Sequence, residues 1–250
     1  MSVPQRIETP IRVRFEECQP GGETRASAFL RYAQDAAWVH SDAAGFGRDW
    51  YRKRGLTWLV RCVELTILGL TEPGQTLSVT TEVVGLRRVW ARRRCEVRDP
   101  GDQPVAVVLT DWVMTGPNFA PVRVPAEFST VFPSVPEGFD PGRVPLPPTP
   151  PEAHRRHFHV RRSEIDPMAH VNNAAYLDYV EESLAEAGSG AALGARPRRY
   201  RLEYQQAAEP GSELLGATWP DGADWVYRLT NQTGADLLRA RFSTVIGEGG

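Results

Sequence analysis

The chain has 250 residues, 41% of them apolar and 24% charged, with a net charge of −2. That is enough chain for one large domain or two small ones, with the composition of an ordinary soluble globular protein. The charge gives no global basic field for nucleic acid. No apolar run reaches 18 residues, so no membrane partner is expected, and the start MSVPQRIETPIRVRF has no signal-peptide core. Cys18, Cys62 and Cys95 are odd in number and widely spaced, which argues against a disulfide framework or a zinc site and for a reducing cytoplasm.

In chain order, each half reads alike. A short strand is expected around Ile11–Glu16, then a QPGG turn, then a helix with Phe29, Tyr32, Ala36, Ala37 and His40 at helical spacing. Gly45–Gly47 ends it, and the following RDWYRKRG segment reads as a flap or pocket wall. Four strands come next, at Thr57–Leu68, Thr76–Leu86, Val89–Arg98 and Pro104–Thr115. The tryptophans Trp38, Trp50, Trp58, Trp90 and Trp112 gather in this half and read as core or as an acyl-tunnel lining.

From Val131 to Ala153 eight prolines make a surface connector, since proline fixes φ and lacks an amide donor. The second half opens with a strand around Arg156–Arg162, where His154, His157 and His159 lack the acidic or cysteine partners of a metal site. A DPMA turn follows, then a helix carrying Tyr176, Tyr179, Val180, Leu184 and Ala187, stopped at Gly188–Gly190. Its four strands are expected at Arg198–Ala207, Glu213–Trp219, Trp225–Asn231 and Leu237–Ile246. The layout is α+β, with each sheet wrapped on its helix and the two halves able to pair edge to edge. The domain boundaries are 1–130, a linker at 131–153, and 154–250.

The halves are a repeat. Val13–Ala36 and Val160–Ser183 align without a gap at an offset of 147, with Val13, Arg14, Pro20, Leu30 and Tyr32 matching Val160, Arg161, Pro167, Leu177 and Tyr179. Between those anchors, Asp166, His170, Asn172 and Asn173 stand opposite Gln19, Glu23, Arg25 and Ala26. A cap or turn needed by the fold is expected in both copies, so polar residues kept in one copy point to a site in the second half. Asp166 is a candidate general base or carboxylate nucleophile, and His170 could orient it, orient a water or polarise a carbonyl. Asn172 or Asn173 could cap the helix, hold the water or grip the substrate arm. Backbone amides around Val171–Asn173 are candidate oxyanion donors. Tyr176 reads as core or pocket lining, and no cofactor motif is present.

The run D-x-x-x-H-V-N-N-x-x-Y, formed by Asp166, His170, Val171, Asn172, Asn173 and Tyr176, resembles that of the acyl-thioesterase branch of the hot-dog fold. The two-copy layout is similar to the acyl-acyl-carrier-protein (acyl-ACP) thioesterases of plants and bacteria. The resemblance implies two tandem hot-dog folds forming a pseudo-dimer, with an acyl pocket shaped by the N-terminal half. It implies hydrolysis of an acyl thioester of acyl carrier protein, or of coenzyme A, with Asp166, His170 and Asn172 catalytic and Val171, Asn173 and Tyr176 binding substrate. The protein would act as a pseudo-dimeric monomer or a homodimer, with no cofactor or metal. Arginine clusters such as Arg87, Arg88 and Arg92–Arg94 could dock the acidic carrier or its phosphopantetheine phosphate. Two departures stand out: the family's asparagine two residues after the aspartate is Met168 here, and its Glu-Cys pair is Ala207 and Ala208. No cysteine nucleophile carries over, and Glu209 is better explained by its EPG turn, repeated at Glu72–Gly74. Alternatives left open are a hot-dog hydratase or dehydratase and a non-catalytic acyl-carrier or acyl-chain binding protein.

Overall fold

The computed structural model of the chain describes residues 5–133 and 141–244. Part of the predicted connector (134–140) and the end of the last predicted strand (245–246) lie outside the described residues. The chain divides into two compact units, one made of Met1–Val63 with Gly69–Gly142, the other of Glu64–Leu68 with Arg143–Gly250.

Unit 1 contains β1 (Arg6–Arg12), α1 (Ala26–Ala43), α2 (Arg48–Arg54), the first part of β2 (Thr57–Ile67, which belongs to unit 1 as far as Val63), β3 (Thr76–Arg87), β4 (Trp90–Arg98), β5 (Pro104–Thr115) and the short α3 (Ala126–Ser129). Its strand order is β1-β3-β4-β5-β2. Unit 2 contains β6 (His154–His159), α4 (Ala175–Leu184), a π-helical turn (Ala185–Ser189), α5 (Gly190–Leu193), β7 (Arg198–Tyr204), β8 (Glu213–Asp221), β9 (Asp224–Asn231) and β10 (Asp236–Ser243). Its strand order, β6-β8-β9-β10-β7, is the same permutation. The pairings of β3 with β1 and β4, of β4 with β5, and of β8 with β6 and β9 are all antiparallel, as are those of β10 with β9 and β7. The protein is thus α+β, with ten strands in all among the described residues and one principal helix in each unit.

Alternation explains the sheets. In β4, Ala91, Cys95 and Val97 are buried while Arg94 between them is exposed. The helices bury the expected stripes: Phe29, Tyr32, Ala33, Ala36, Ala37 and His40 in α1, and Tyr176, Tyr179, Val180 and Leu184 in α4. Gly188, at φ +94°, ends the helical run that a residue with a Cβ would continue. The RDWYRKRG segment is α2, which sets Trp50 and Tyr51 against Phe46, Trp58 and Phe128. Trp38 departs from its expected core place: it is 58% exposed on α1, opposite the buried stripe.

The first strand of each half starts and ends earlier than expected. Phe15–Glu17 and Arg162–Glu164 are single 3-10 turns rather than strand. The cause is a carboxylate. Glu17 Oε2 accepts the Arg14 N–H (2.8 Å) and the Tyr32 hydroxyl (2.7 Å). Glu164 Oε2 likewise accepts the Arg161 N–H (2.7 Å) and the Tyr179 hydroxyl (2.7 Å). Burial, reinforced by the adjacent carboxylate, pushes both tyrosines' pKa values up, so both stay neutral donors.

The turn after it is also shared. Gln19 N–H bonds Glu23 O and Gly22 N–H bonds Gln19 O, as Asp166 N–H bonds His170 O and Ala169 N–H bonds Asp166 O. Both turns place their fourth residue in the left-handed region, Gly22 at φ +83° and Ala169 at φ +63°. Only the second turn puts a residue with a Cβ there, at a cost of about 1 kcal/mol.

Two outcomes are expected from chemical denaturation. Glu164→Ala should lower stability by about 2 kcal/mol, the usual loss for hydrogen bonds to a charged acceptor, and Glu17→Ala by a similar amount. Ala169→Gly should raise stability by about 0.5 kcal/mol, the relief of φ exceeding the added chain entropy. A Glu164→Ala midpoint equal to that of the parent would show that the carboxylate does not hold the turn to the helix.

Candidate active site

The sequence-predicted residues fall in one hairpin and the helix turn that follows it, all within unit 2. Ile165 and Val171 form an isolated bridge, with Asp166 and His170 as the next pair across the hairpin. Paired residues share a face, and faces alternate along a strand. Val171 is 3% exposed and points inward, so Asp166 and His170 project together on the opposite side, each half-buried.

Asp166 shapes its own loop. Its Oδ1 accepts the Met168 N–H at 2.8 Å, an Asx turn around Pro167. This pins one carboxylate oxygen and leaves the other for chemistry. Met168 itself is 41% exposed.

Asn172 is a helix cap. Its Oδ1 accepts the Ala174 N–H (2.9 Å) and its backbone O accepts the Ala175 N–H (2.9 Å). Its partner in the repeat, Arg25, begins α1 with no side-chain cap. The expectation that a structural cap recurs in both copies therefore fails for this residue. α1 starts without such a bond, whereas the turn leading into α4 carries the one from Asn172.

The backbone amides sort themselves. Val171 N–H goes to Ala208 O (3.2 Å), Asn172 N–H to Glu164 O (2.8 Å), and the Ala174 and Ala175 amides to Asn172. Among the described residues this leaves Asn173 N–H as the one amide of that run without an acceptor. Two of the three expected oxyanion donors are thus occupied. Asn173 is fixed from behind, since its carbonyl accepts the Tyr204 hydroxyl at 2.9 Å.

Tyr176 carries a polar duty that its partner Phe29 cannot. Its hydroxyl oxygen accepts the Ala208 N–H at 2.8 Å, and the side chain is 2% exposed. Burial, with the Asp166 charge adding to it against the Ala208 amide, pushes its pKa up to about 12. The phenol is therefore neutral at assay pH and feels the Asp166 carboxylate. It rings against Tyr204 and Tyr179 at 5.6 and 6.1 Å.

Ala207 is exposed and Ala208 is 2% exposed, so neither position offers a reactive group. Glu209 is exposed, and its carbonyl accepts Ser212 N–H, as Glu72 O accepts Gln75 N–H in unit 1. It is a turn residue. His154 and His159 pair with different glutamates, Glu186 (3.3 Å) and Glu213 (2.5 Å). Among the described residues no three His, Cys, Asp or Glu side chains group as metal ligands, and no helix is long and apolar enough to cross a membrane.

Sequence reasoning missed Glu164, Tyr204 and the Ala208 amide. Glu164 carries a legible signal: with Tyr179 it is unchanged between the copies, which marks a brace rather than a reactive group.

Similarity to known proteins follows the same division. The acyl-ACP thioesterase N-terminal domain matches residues 5–131, and the acyl-ACP thioesterase C-terminal domain matches residues 149–243. No curated protein sequence matches the chain. A Lactobacillus plantarum structure assigned as an oleoyl thioesterase superposes with a TM-score of 0.82 at 19% identity, covering 97% of each chain. An acyl-ACP thioesterase from Bacteroides thetaiotaomicron gives 0.80 at 15% identity, covering 96% of this chain and 97% of that one. A 12:0-ACP thioesterase from Umbellularia californica gives 0.78 at 20%, with the same coverage. At such identities these structures share the fold, and the two domain matches, spanning nearly the whole chain, decide the family. The chain belongs to the acyl-ACP thioesterases, and its reaction is the hydrolysis of an acyl thioester.

Proposed function

We propose that hydrolysis is carried out in the C-terminal half by Asp166 and His170, with Asn173 and Tyr176 completing the site. The observation that carries this is the shared face of Asp166 and His170 beside one unused amide, that of Asn173. The free oxygen of Asp166 takes the proton of a water as it attacks the thioester carbon. The Asn173 N–H stabilises the developing oxyanion, the condition for a fast acyl transfer. The C–S bond then breaks, and His170 delivers a proton to the departing thiolate. Val171 holds the hairpin down, while the buried Tyr176 accepts the Ala208 amide within electrostatic reach of the Asp166 carboxylate. Asn172 contributes by capping α4.

The finer architecture belongs to the same proposal. Residues 1–130 and 154–250 are two hot-dog folds in tandem, joined by the linker 131–153 and related as a pseudo-dimer. The N-terminal copy, with Gln19, Glu23, Arg25 and Ala26 in place of the polar set, shapes the acyl pocket. Acyl carrier protein is the natural thiol carrier, with coenzyme A as the lesser one, in a cytoplasmic setting consistent with three free cysteines.

Three variants test the assignment through free-thiol release from acyl-ACP and acyl-CoA thioesters. Asp166→Asn should cut kcat at least about a hundredfold, the loss typical of an acid-base group. Asn173→Pro should cut kcat about a hundredfold while Asn173→Ala cuts it far less. Proline is welcome in a helix's first turn and removes only the amide hydrogen that alanine keeps. Equal kcat in the two Asn173 variants would remove the oxyanion role, and an Asp166→Asn enzyme within a few-fold of the parent would remove the base.

A further inference from the structure

Unit 1 holds a cation where a core residue belongs. On β4 the inward-facing series is Ala91, Arg93, Cys95 and Val97, so Arg93 lies on the buried face. Its hydrogen-bond partners carry no negative charge. NH1 bonds His40 Nδ1 on α1 (2.9 Å) and Thr81 Oγ1 on β3 (3.2 Å). Thr110 lies directly across on β5, and Tyr51 of α2 is close enough for its charge state to matter to the guanidinium.

No carboxylate pairs with Arg93 among the described residues. The nearest acids in the sheet face the other way and are already taken. Asp111 is held by Arg92 at 2.7 Å, and Glu96 by Arg94 at 3.2 Å and Arg98 at 2.5 Å. Burial lowers the Arg93 pKa to about 10, which still leaves it charged at neutral pH. Protein surrounds the group closely enough to do this, yet the side chain keeps some accessible surface. The guanidinium is thus strongly desolvated and still in part accessible.

A second orphan lies beside it. Trp112 pairs with Ala91 across β4 and β5, one inward position from Thr110, and is therefore a diagonal neighbour of Arg93. Its indole Nε1–H is buried with no partner. A buried donor without an acceptor and a desolvated cation without a carboxylate are each costly, and one negatively charged acceptor would serve both. The walls are apolar and aromatic: Trp112 packs with Phe46, Met114, Phe128 and Phe132.

We propose that unit 1 contains a carboxylate-binding subsite, formed by Arg93 and Trp112 with Thr81 and His40 behind them, for the acid group of an amphiphilic ligand whose carbon chain lies among these aromatic rings. Two sources supply that chemistry: the free acid released by hydrolysis, or the far end of an ω-carboxyacyl substrate. The choice between them rests on the thioesterase reading; the subsite itself does not.

The test begins with binding, so that it is read without turnover and stands apart from the Asp166 assignment. Decanoate is titrated against the full chain by calorimetry and tryptophan fluorescence, with decanol as the uncharged match. Decanoate should bind at least tenfold more tightly than decanol, and Arg93→Met should erase the difference. Arg93→Met should melt no lower than the parent, since it deletes an unpaired buried charge, and decanoate should raise the melting temperature of the parent only. Should that variant fail to fold, Trp112→Phe must weaken decanoate at least threefold. Kinetics then separate the sources. Inhibition of thiol release by decanoate, lost in Arg93→Met, identifies the product acid. A kcat/KM at least tenfold higher for an ω-carboxyacyl thioester than for the plain acyl thioester of equal length, reversed in Arg93→Met, identifies the substrate end. Equal binding of acid and alcohol, or an acid preference that survives in Arg93→Met or in Trp112→Phe, overturns the proposal.

Discussion

One carboxylate per unit fixes the geometry on which the site depends. Glu164 closes the turn after β6 through the Arg161 amide, fastens that turn to α4 through the Tyr179 hydroxyl, and receives the Asn172 amide on its carbonyl. Three chain segments converge on one residue. A hairpin of five residues has too little buried surface to hold its own place, so its aim is set by this anchor. Because Glu17 does the same in unit 1, the anchor is a property of the fold, and the chemistry is an addition to it.

The additions are few and local. The two turns have the same hydrogen bonds, so replacing Gln19 by Asp and Glu23 by His changes side chains without changing the backbone that carries them. The one backbone departure is Ala169 in place of Gly22, a small strain on the loop between Asp166 and His170. A stiffer loop holds the pair in one arrangement, and preorganised groups lose less on reaching the transition state. The tyrosine at position 176 works in the same direction. Its phenol takes the place of Phe29 and brings the loop amide of Ala208 to the vicinity of Asp166.

Much of this was legible in the sequence. Alternation and turn residues located the strands to within a few residues, since a sheet with one buried face has to write its period into the chain. The repeat located the hairpin, because two copies of one fold reveal which residues the fold itself requires. The same logic did not show that Asn172 also bonds the Ala174 amide in the turn leading into α4. It also could not foresee that the Val171 and Asn172 amides would be spent on Ala208 and Glu164. The first joins residues 37 positions apart and the second closes back across the hairpin, and no local pattern encodes either. Arg93 was grouped with its neighbours as a surface patch for docking the carrier, because a run of arginines looks like the solvated face of a strand and only the register sets it inward.

The loss of the family's Glu-Cys pair narrows the chemistry that remains. With Ala207 exposed, Ala208 buried and neither reactive, those positions offer no thiolate, and in the proposed site the attacking oxygen comes from water or from Asp166 itself. One oxygen of Asp166 is held by the Met168 amide, and that hydrogen bond lowers its nucleophilicity and fixes the direction of the other. A carboxylate so constrained is better suited to accepting a proton along one line than to swinging onto a carbonyl carbon to form an anhydride. Met168, standing where the family has asparagine, contributes its backbone rather than its exposed side chain. The substitution is therefore compatible with a general-base reaction, which needs the turn geometry at that position and makes no demand on the side chain.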